Sequence, residues 1–230
     1  MTLTETVIAE LKSKANPSNV AGMTHFGINT ENTLGVTMPV IRTMAKPYRK
    51  NHFLALELWQ SGIHEARILA SLVDNPKQVT VDQMEKWTVE FDSWDICDQV
   101  CSNLWEKTPY AYDKAVEWSR RDEEFVKRAG FVLMARSVVG GKRTPDPAQM
   151  AAIFTEIERG AIDQRNFVKK AVDWALRQIG KSSEALNRQA IATAEKIALI
   201  DNPASRWIAA DSLRELKSDV IQQRLKSRAK

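Results

Sequence analysis

Trp94 and Asp98 are the residues whose types and spacing first point to chemistry in this 230-residue chain. Apolar residues recur at helical spacing through residues 91–105, so side chains four positions apart are neighbours on one helix face. One stripe of this helix lies about 115° from its apolar face. It holds Trp94, Asp98, Cys101 and Trp105. A carboxylate beside an indole ring suits a cationic ligand or a cationic transition state. The alternative for Asp98 is a salt bridge to an adjacent helix.

A second tryptophan, Trp174, lies in a predicted amphipathic helix over residues 164–181. It is about 130° from the centre of the apolar face. Its stripe is basic and also holds an aromatic residue one heptad earlier, and its members are Phe167, Lys170, Arg177 and Lys181. A sugar or base against the ring, with phosphates on the basic groups, would suit this pattern. Alternatively, Trp174 packs under the next helical hairpin and the lysines are solvated.

Arg128 lies on an apolar sector of a predicted helix over residues 121–139, between Phe131, Val132 and Ala135. An arginine on such a sector is either paired with a carboxylate or reaches out of the core towards a phosphate. Both interpretations stay open from the sequence.

Other catalytic and metal-binding patterns are weak. The sequence has no glycine-rich phosphate loop, no HExxH and no Gly-x-Ser-x-Gly. His64 and Glu65, beside Arg67, could form a zinc or acid–base site, but a polar pair at a helix N-terminus is the better interpretation. Cys97 and Cys101 fit small buried hydrophobes better than metal ligands. We therefore expect no metal and no cofactor.

Charge is distributed unevenly along the chain. The formal net charge is +4, but residues 1–50 carry +3, residues 51–119 carry −7 and residues 120–230 carry +8. A basic C-terminal half suggests a polyanionic partner, although charged helix faces can simply be solvated. No apolar run approaches the roughly 20 residues of a membrane span, and the N-terminus has no signal segment. With only two cysteines, we expect a cytoplasmic protein.

The elements that must position these residues are short helices. Thr2 and Glu5 form a capping box, and Thr37-Met38-Pro39 begins a later helix. Further helices are predicted near 17–26, 51–61, 63–73, 80–91, 93–105, 109–120, 122–139, 146–159, 164–180, 183–199, 203–216 and 218–227.

Short helices with tight turns predict an all-α fold, an α-solenoid of antiparallel helix pairs of HEAT-like type with a concave, basic groove. Residues 1–230 are predicted to form a single HEAT-like repeat domain. The likeliest internal loop, Gly140 to Pro145, is too short for a linker between domains.

Several stretches resemble the AlkD family of DNA alkylation repair proteins, which are HEAT-like alkylpurine DNA glycosylases. The resemblance covers residues 20–215 approximately, and its specific part is Trp-x-x-x-Asp followed by a tryptophan in a basic helix. The matching stretches are Phe26 to Pro39, Leu58 to Ser61 with His64 to Arg67, Asp92 to Asp98, Phe125 to Arg128, and Phe167 to Arg177.

The resemblance implies roles for individual residues. Asp98 would be the catalytic carboxylate, and Trp94 and Trp174 would flank the sugar and backbone of the damaged nucleotide. Arg128 matches an arginine near the catalytic pocket, while Phe167 and Arg177 match positions that contact the backbone. The family also implies duplex DNA in the concave groove, with no metal or cofactor, and a modified base that need not enter a tight pocket.

We therefore predict a monofunctional glycosylase that acts, as a monomer, on cationic N3- or N7-alkylated purines in double-stranded DNA. Lys170, Arg177 and Lys181 would hold phosphates. One alternative is a non-catalytic protein that binds distorted or branched DNA, and another is a protein-binding HEAT scaffold. The presence of Trp94, Asp98 and Trp174 together favours the enzyme.

Overall fold

The computed structural model describes residues 1–139 and 145–228. The described residues form fourteen α-helices, two short 3₁₀ turns at Lys46–Tyr48 and Trp105–Lys107, and no strand. The helices are α1 (Leu3–Ser13), α2 (Pro17–Thr24), α3 (Met38–Ala45), α4 (His52–Gln60), α5 (His64–Val73), α6 (Val81–Val89), α7 (Trp94–Asn103), α8 (Ala111–Trp118), α9 (Glu124–Arg136), α10 (Pro147–Gly160), α11 (Asn166–Gly180), α12 (Glu184–Ala198), α13 (Pro203–Leu216) and α14 (Asp219–Arg228).

The described chain divides into two compact units, Met1–Thr108 and Pro109–Lys230. In the first unit α4 and α5 are antiparallel, because the backbone N–H of Asn51 at the start of one bonds the carbonyl of Val73 at the end of the other. α5 and α7 run parallel, since His64 pairs with Asp95 near their starts and Ser71 with Asn103 near their ends.

Aromatic side chains fill much of the core of the first unit. The rings of Trp59 and Trp87 stack with centroids 4.1 Å apart and 4° between their planes, and Trp105 lies 5.5 Å from Trp87. The guanidinium of Arg67 lies 5.1 Å from the ring of Trp59, and the indole N–H of Trp59 donates to Glu90 at 2.7 Å. Large buried rings of this kind supply much of the hydrophobic stabilisation of a small unit.

In the second unit α12 and α13 are antiparallel, because Asn187 near the start of α12 donates to the carbonyl of Leu216 at the end of α13. α11 and α13 run parallel: Asp173 accepts from Ser212, and Arg177 pairs with Glu215 one turn further along both helices. Antiparallel consecutive helices with parallel helices in the next pair are the arrangement of stacked helical hairpins.

The all-α prediction and the predicted helix positions are confirmed, including the capping box of Thr2 and Glu5. Gly140 to Thr144, most of the predicted loop, lie outside the described residues. Among the described helices, none is both long enough and apolar enough to cross a membrane. The single-domain organisation and the concave groove stay predictions.

Gly130 lets α9 approach α8 closely, and we expect Gly130→Ala to lower the free energy of unfolding by about 2 kcal/mol. An added Cβ would lie 2.4 Å from the backbone nitrogen of Ser119 and 2.9 Å from the carbonyl oxygen of Ala115. Gly22→Ala is the matched control, because an added Cβ in α2 meets no atom within 4 Å and alanine favours the helix. Urea titration of both variants measures the effect, and equal changes of the same sign would contradict it.

Candidate nucleic-acid interface

Trp94 and Asp98 lie one turn apart on α7, and both are partly exposed. The indole N–H of Trp94 donates to the backbone carbonyl of Phe26 at 3.0 Å, which fixes one edge of the ring. The predicted stripe does not continue along the helix. Cys101 and Trp105 are fully buried in the core of the first unit, and Trp105 lies beyond the end of α7, in the 3₁₀ turn Trp105–Lys107. The candidate site on α7 is therefore the Trp94–Asp98 pair, and its role towards DNA stays a prediction.

A loop of residues 26–36, between α2 and α3, lies against the starts of α5 and α7. Near its beginning, the Phe26 carbonyl holds Trp94, and the Asn29 amide donates to Asp92 at 3.0 Å. Further along, the Asn32 carbonyl accepts the backbone N–H of His64 at 3.1 Å. We call this segment the 26–36 loop.

Glu65 is the main attachment of this loop. Its side chain is buried, and its two carboxylate oxygens accept the backbone N–H groups of Leu34 at 2.9 Å, Gly35 at 2.6 Å and Val36 at 3.2 Å. Gly35 has φ +74°, and an added Cβ would lie 2.2 Å from the carbonyl oxygen of Asn16. The close passage of this loop therefore needs glycine at that position.

His64 and Asp95 connect the starts of α5 and α7 through a 2.8 Å contact between Nε2 and Oδ2. Burial disfavours the charged imidazole, but the hydrogen bond and the negative charge of Asp95 outweigh it, so the pKa of His64 is raised. Burial likewise opposes the charge on Asp95, but the bond to His64 prevails and lowers the pKa of that carboxyl. The pair lies beside a cavity of about 110 Å³ that Met23, Met38 and Gln99 also line.

In the second unit, Trp174 is half-buried on α11, and Lys170, one turn earlier, is exposed. Phe167 is partly exposed, and its ring lies 5.6 Å from that of Phe125. Arg128 is buried, and its Nη1 donates to the carbonyl of Phe167 at 2.6 Å. The structure thus brings Arg128 and Phe167 together at the start of α11, while their roles towards DNA stay predictions.

Arg177 and Lys181, predicted to hold phosphates, are bonded to carboxylates of the second unit. Arg177 contacts Asp173 at 2.8 Å and Glu215 at 2.6 Å, and Lys181 contacts the second oxygen of Glu215 at 2.8 Å. Burial raises the pKa of Glu215, but the hydrogen bonds from Lys181 and Arg177 outweigh it, so that pKa is lowered. A phosphate that binds these two cations must compete with Glu215.

Asp173 is buried at 1% exposure between α11 and α13. Burial raises its pKa to about 6, against the opposing effects of Arg177 and of a 3.0 Å hydrogen bond from Ser212, while the charge of Asp211 adds to the increase. The carboxylates of Asp173, Asp211 and Glu215 all lie beside Arg177, and Asp173, the most buried of the three, is the one whose ionisation is disfavoured.

The sequence did not indicate which groups of the chain Glu65, Asp173 and Glu215 bind. His64 and Glu65 do form a polar pair at a helix start, as predicted, but both are buried and bonded to other segments. The sequence did carry a sign that Glu65 is buried and bonded, because it is a carboxylate on a helix that is otherwise apolar on several sides. Within the described ranges, no group of three or more His, Cys, Asp or Glu is placed to hold a metal ion.

A family model described as DNA alkylation repair enzyme matches residues 7–216. The chain therefore belongs to the DNA alkylation repair enzyme family. Two uncharacterized proteins are similar over almost the same length, Lmo0209 of Listeria monocytogenes and Lin0241 of Listeria innocua. Each is 22% identical over 214 residues, which cover 86% of this chain and 95% of the relative.

A solved structure is similar over 92% of this chain and 94% of its own, with a TM-score of 0.77 and 19% sequence identity. It represents a new family of proteins related to the HEAT-like repeat DNA glycosylases with affinity for branched DNA structures. At this level of identity the similarity shows the fold, so the HEAT-like helical fold predicted from the sequence is confirmed.

Proposed function

We propose that this protein is a DNA glycosylase that hydrolyses the N-glycosidic bond of cationic N3- or N7-alkylated purines in duplex DNA. The observation that carries the proposal is the Trp94–Asp98 pair, a carboxylate one helical turn from an indole that is itself held by the Phe26 carbonyl. Membership of the DNA alkylation repair enzyme family supports the same assignment.

The reaction needs little beyond electrostatic stabilisation. When the C1′–N bond breaks, its electron pair moves to the base nitrogen and neutralises the positive charge of the alkylated purine. The sugar becomes an oxocarbenium-like cation, which the carboxylate of Asp98 stabilises. Water then adds to C1′ and loses a proton, for which Asp98 is the acceptor. The face of Trp94, one helical turn from Asp98, contributes a cation–π contact of about 0.5–2 kcal/mol.

The cavity beside the His64–Asp95 pair does not serve as a base pocket in this scheme. Its volume of about 110 Å³ is below the roughly 150 Å³ that accommodates a single benzene ring in an engineered protein core. A purine has two fused rings and does not fit there. A cationic base is a better leaving group than a neutral one. Selectivity for the lesion then comes from this difference, and the base need not be enclosed.

DNA backbone contacts are assigned to the second unit in this proposal. Lys170 is exposed, and Phe167 presents a partly exposed ring near Arg128. Arg177 and Lys181 contribute to phosphate binding when they leave Glu215. Such contacts make affinity fall steeply as salt rises.

Non-catalytic binding of branched DNA is the second candidate function. The solved structure with the same fold belongs to a family with affinity for branched DNA structures. A fold fixes no activity by itself, so this candidate rests on the similarity of architecture.

The decisive experiment is release of 7-methylguanine from a methylated duplex, measured in single turnover beside binding to the same duplex and to a four-way junction. The glycosylase proposal predicts base release. Binding to the junction without release would establish the second candidate, and absence of salt-sensitive binding to either DNA would contradict both.

Glu215→Gln is expected to tighten duplex binding about threefold, because the neutral amide releases Lys181 and weakens one of the ion pairs of Arg177. The slope of log affinity against log salt should steepen by up to about one as the two cations gain a phosphate. Glu195→Gln is the matched control, since exposed Glu195 pairs with Lys217 and the charge change is the same. Equal affinities for the two variants in fluorescence anisotropy would contradict the competition.

A further inference from the structure

The orientation of Trp94 depends on a segment distant in sequence. Its indole N–H bonds to the Phe26 carbonyl, at the beginning of the 26–36 loop. The rest of this loop has no regular secondary structure of its own, so its position depends on the groups it is bonded to. The strongest of those attachments is to Glu65, on α5.

Glu65 is suited to hold the loop. Its side chain is 1% exposed, and it accepts three consecutive backbone N–H groups, from Leu34 to Val36. Hydrogen bonds to a charged acceptor are about twice as strong as those between neutral groups. Three convergent N–H donors need an acceptor with two oxygens, which a carboxylate supplies and a hydroxyl does not.

The loop is also attached between its two ends, that is, between the residues that bind Glu65 and the Phe26 carbonyl that binds Trp94. The backbone N–H of His64 donates to Asn32, and Asn29 donates to Asp92 immediately before α7. Thr33 donates to the carbonyl of Asn29 at 3.1 Å, which closes the loop on itself. The path from the Glu65 carboxylate to the Phe26 carbonyl is thus a short loop with few conformations available to it.

We propose that Glu65 is a positioning residue for Trp94 and acts on its indole through the 26–36 loop. Its effect on base release rests on the proposed glycosylase function, whereas its effect on the indole does not. When the carboxylate is replaced by an amide, at least one of the three N–H donors faces an NH₂ group and loses its acceptor. The loop then relaxes, and the Phe26 carbonyl no longer holds the ring in one orientation.

The experiment compares wild-type protein with Glu65→Gln, full length, by ¹H–¹⁵N correlation spectra of the indole groups, with the Trp94 signal assigned from Trp94→Phe. We expect the Trp94 indole signal to shift and its hydrogen exchange to accelerate about tenfold. Single-turnover release of 7-methylguanine should fall about tenfold, because small displacements of a positioning group cost rate, while duplex affinity stays within about twofold.

Asp74→Asn is the matched control. Asp74 is also buried, also accepts three hydrogen bonds (from His52, Asn75 and Gln83), and lies at the opposite end of α5. It has no bond to the 26–36 loop among the described contacts. We expect a similar loss of thermal stability in both variants, but no change in the Trp94 indole signal or in the rate of release for Asp74→Asn.

Asn29→Ala tests the same loop at its partly exposed attachment to Asp92, and keeps the proposal testable if Glu65→Gln folds poorly. It should shift the Trp94 indole signal in the same direction by a smaller amount. An unchanged indole signal in both loop variants, or an equal change in Asp74→Asn, would overturn the proposal. If wild-type protein releases no base, the proposed function fails, and the indole signals still decide the role of Glu65.

Discussion

Asp98→Asn is expected to slow release of 7-methylguanine about 10³-fold, with duplex affinity changed by less than about threefold. The amide is the same size and keeps its place one turn from Trp94. It lacks the negative charge that stabilises the oxocarbenium-like sugar, and removal of one preorganised electrostatic group from an active site costs about 10²–10³ in rate. The ground state carries its positive charge on the base, so binding depends less on this carboxylate than the chemical step does.

The measurement is the single-turnover rate constant at saturating enzyme, with anisotropy on the same duplex for affinity. Asp113→Asn, at an exposed position in the first turn of α8, changes the net charge by the same amount and should leave both quantities unchanged. Base release by Asp98→Asn within about threefold of wild type would remove Asp98 from the mechanism.

The contribution of Asp173 to the free energy of unfolding should be more favourable in mild acid than at neutral pH, by about 3 kcal/mol. Its pKa in the folded protein is about 6, above the usual 3.8, so between those values the folded chain holds a proton that the unfolded chain has lost. Its contribution to stability is therefore complete below about pH 4, declines as pH rises towards 6, and is lost above that. Each pKa unit corresponds to about 1.4 kcal/mol.

The test is a comparison of urea unfolding between wild type and Asp173→Asn at several pH values. The amide keeps an oxygen for the hydrogen bond from Ser212 and does not titrate. Groups that do not interact with Asp173, among them the His64–Asp95 pair, titrate in both proteins and cancel in the difference. The stability of Asp173→Asn relative to wild type should rise by about 3 kcal/mol between pH 4 and pH 7.5. If the difference in the free energy of unfolding between the two proteins did not change with pH, folding would not disfavour the ionisation of Asp173.

The periodicity of apolar residues was sufficient to predict most of the helices, because nearly all of them bury one face against their neighbours, whereas α2 has no buried residue. The same argument correctly placed Trp94 and Asp98 on a partly exposed face. It gave no exposure for the rest of the stripe, where Cys101 is a small buried side chain, as predicted, and Trp105 is buried beyond the end of α7. A helical wheel describes one straight helix, and cannot show where along its length a second neighbour begins to cover it.

Contacts between distant segments were not predictable in the same way. Glu65 binds a loop 30 residues away, and Glu215 holds two cations on another helix. Nothing in the spacing of Arg177 and Lys181 indicates whether the charges facing them come from DNA or from the protein. Such pairing is decided by tertiary packing, so the sequence predicts that the side chains are basic but not what they bind.

The stacked rings of Trp59 and Trp87 have an optical consequence. Two indoles with centroids 4.1 Å apart and ring planes within 4° of parallel couple electronically, so their circular dichroism differs from that of isolated rings. Both belong to the first compact unit, whereas Trp118, Trp174 and Trp207 belong to the second. The exciton signal can therefore follow melting of the first unit separately from that of the second.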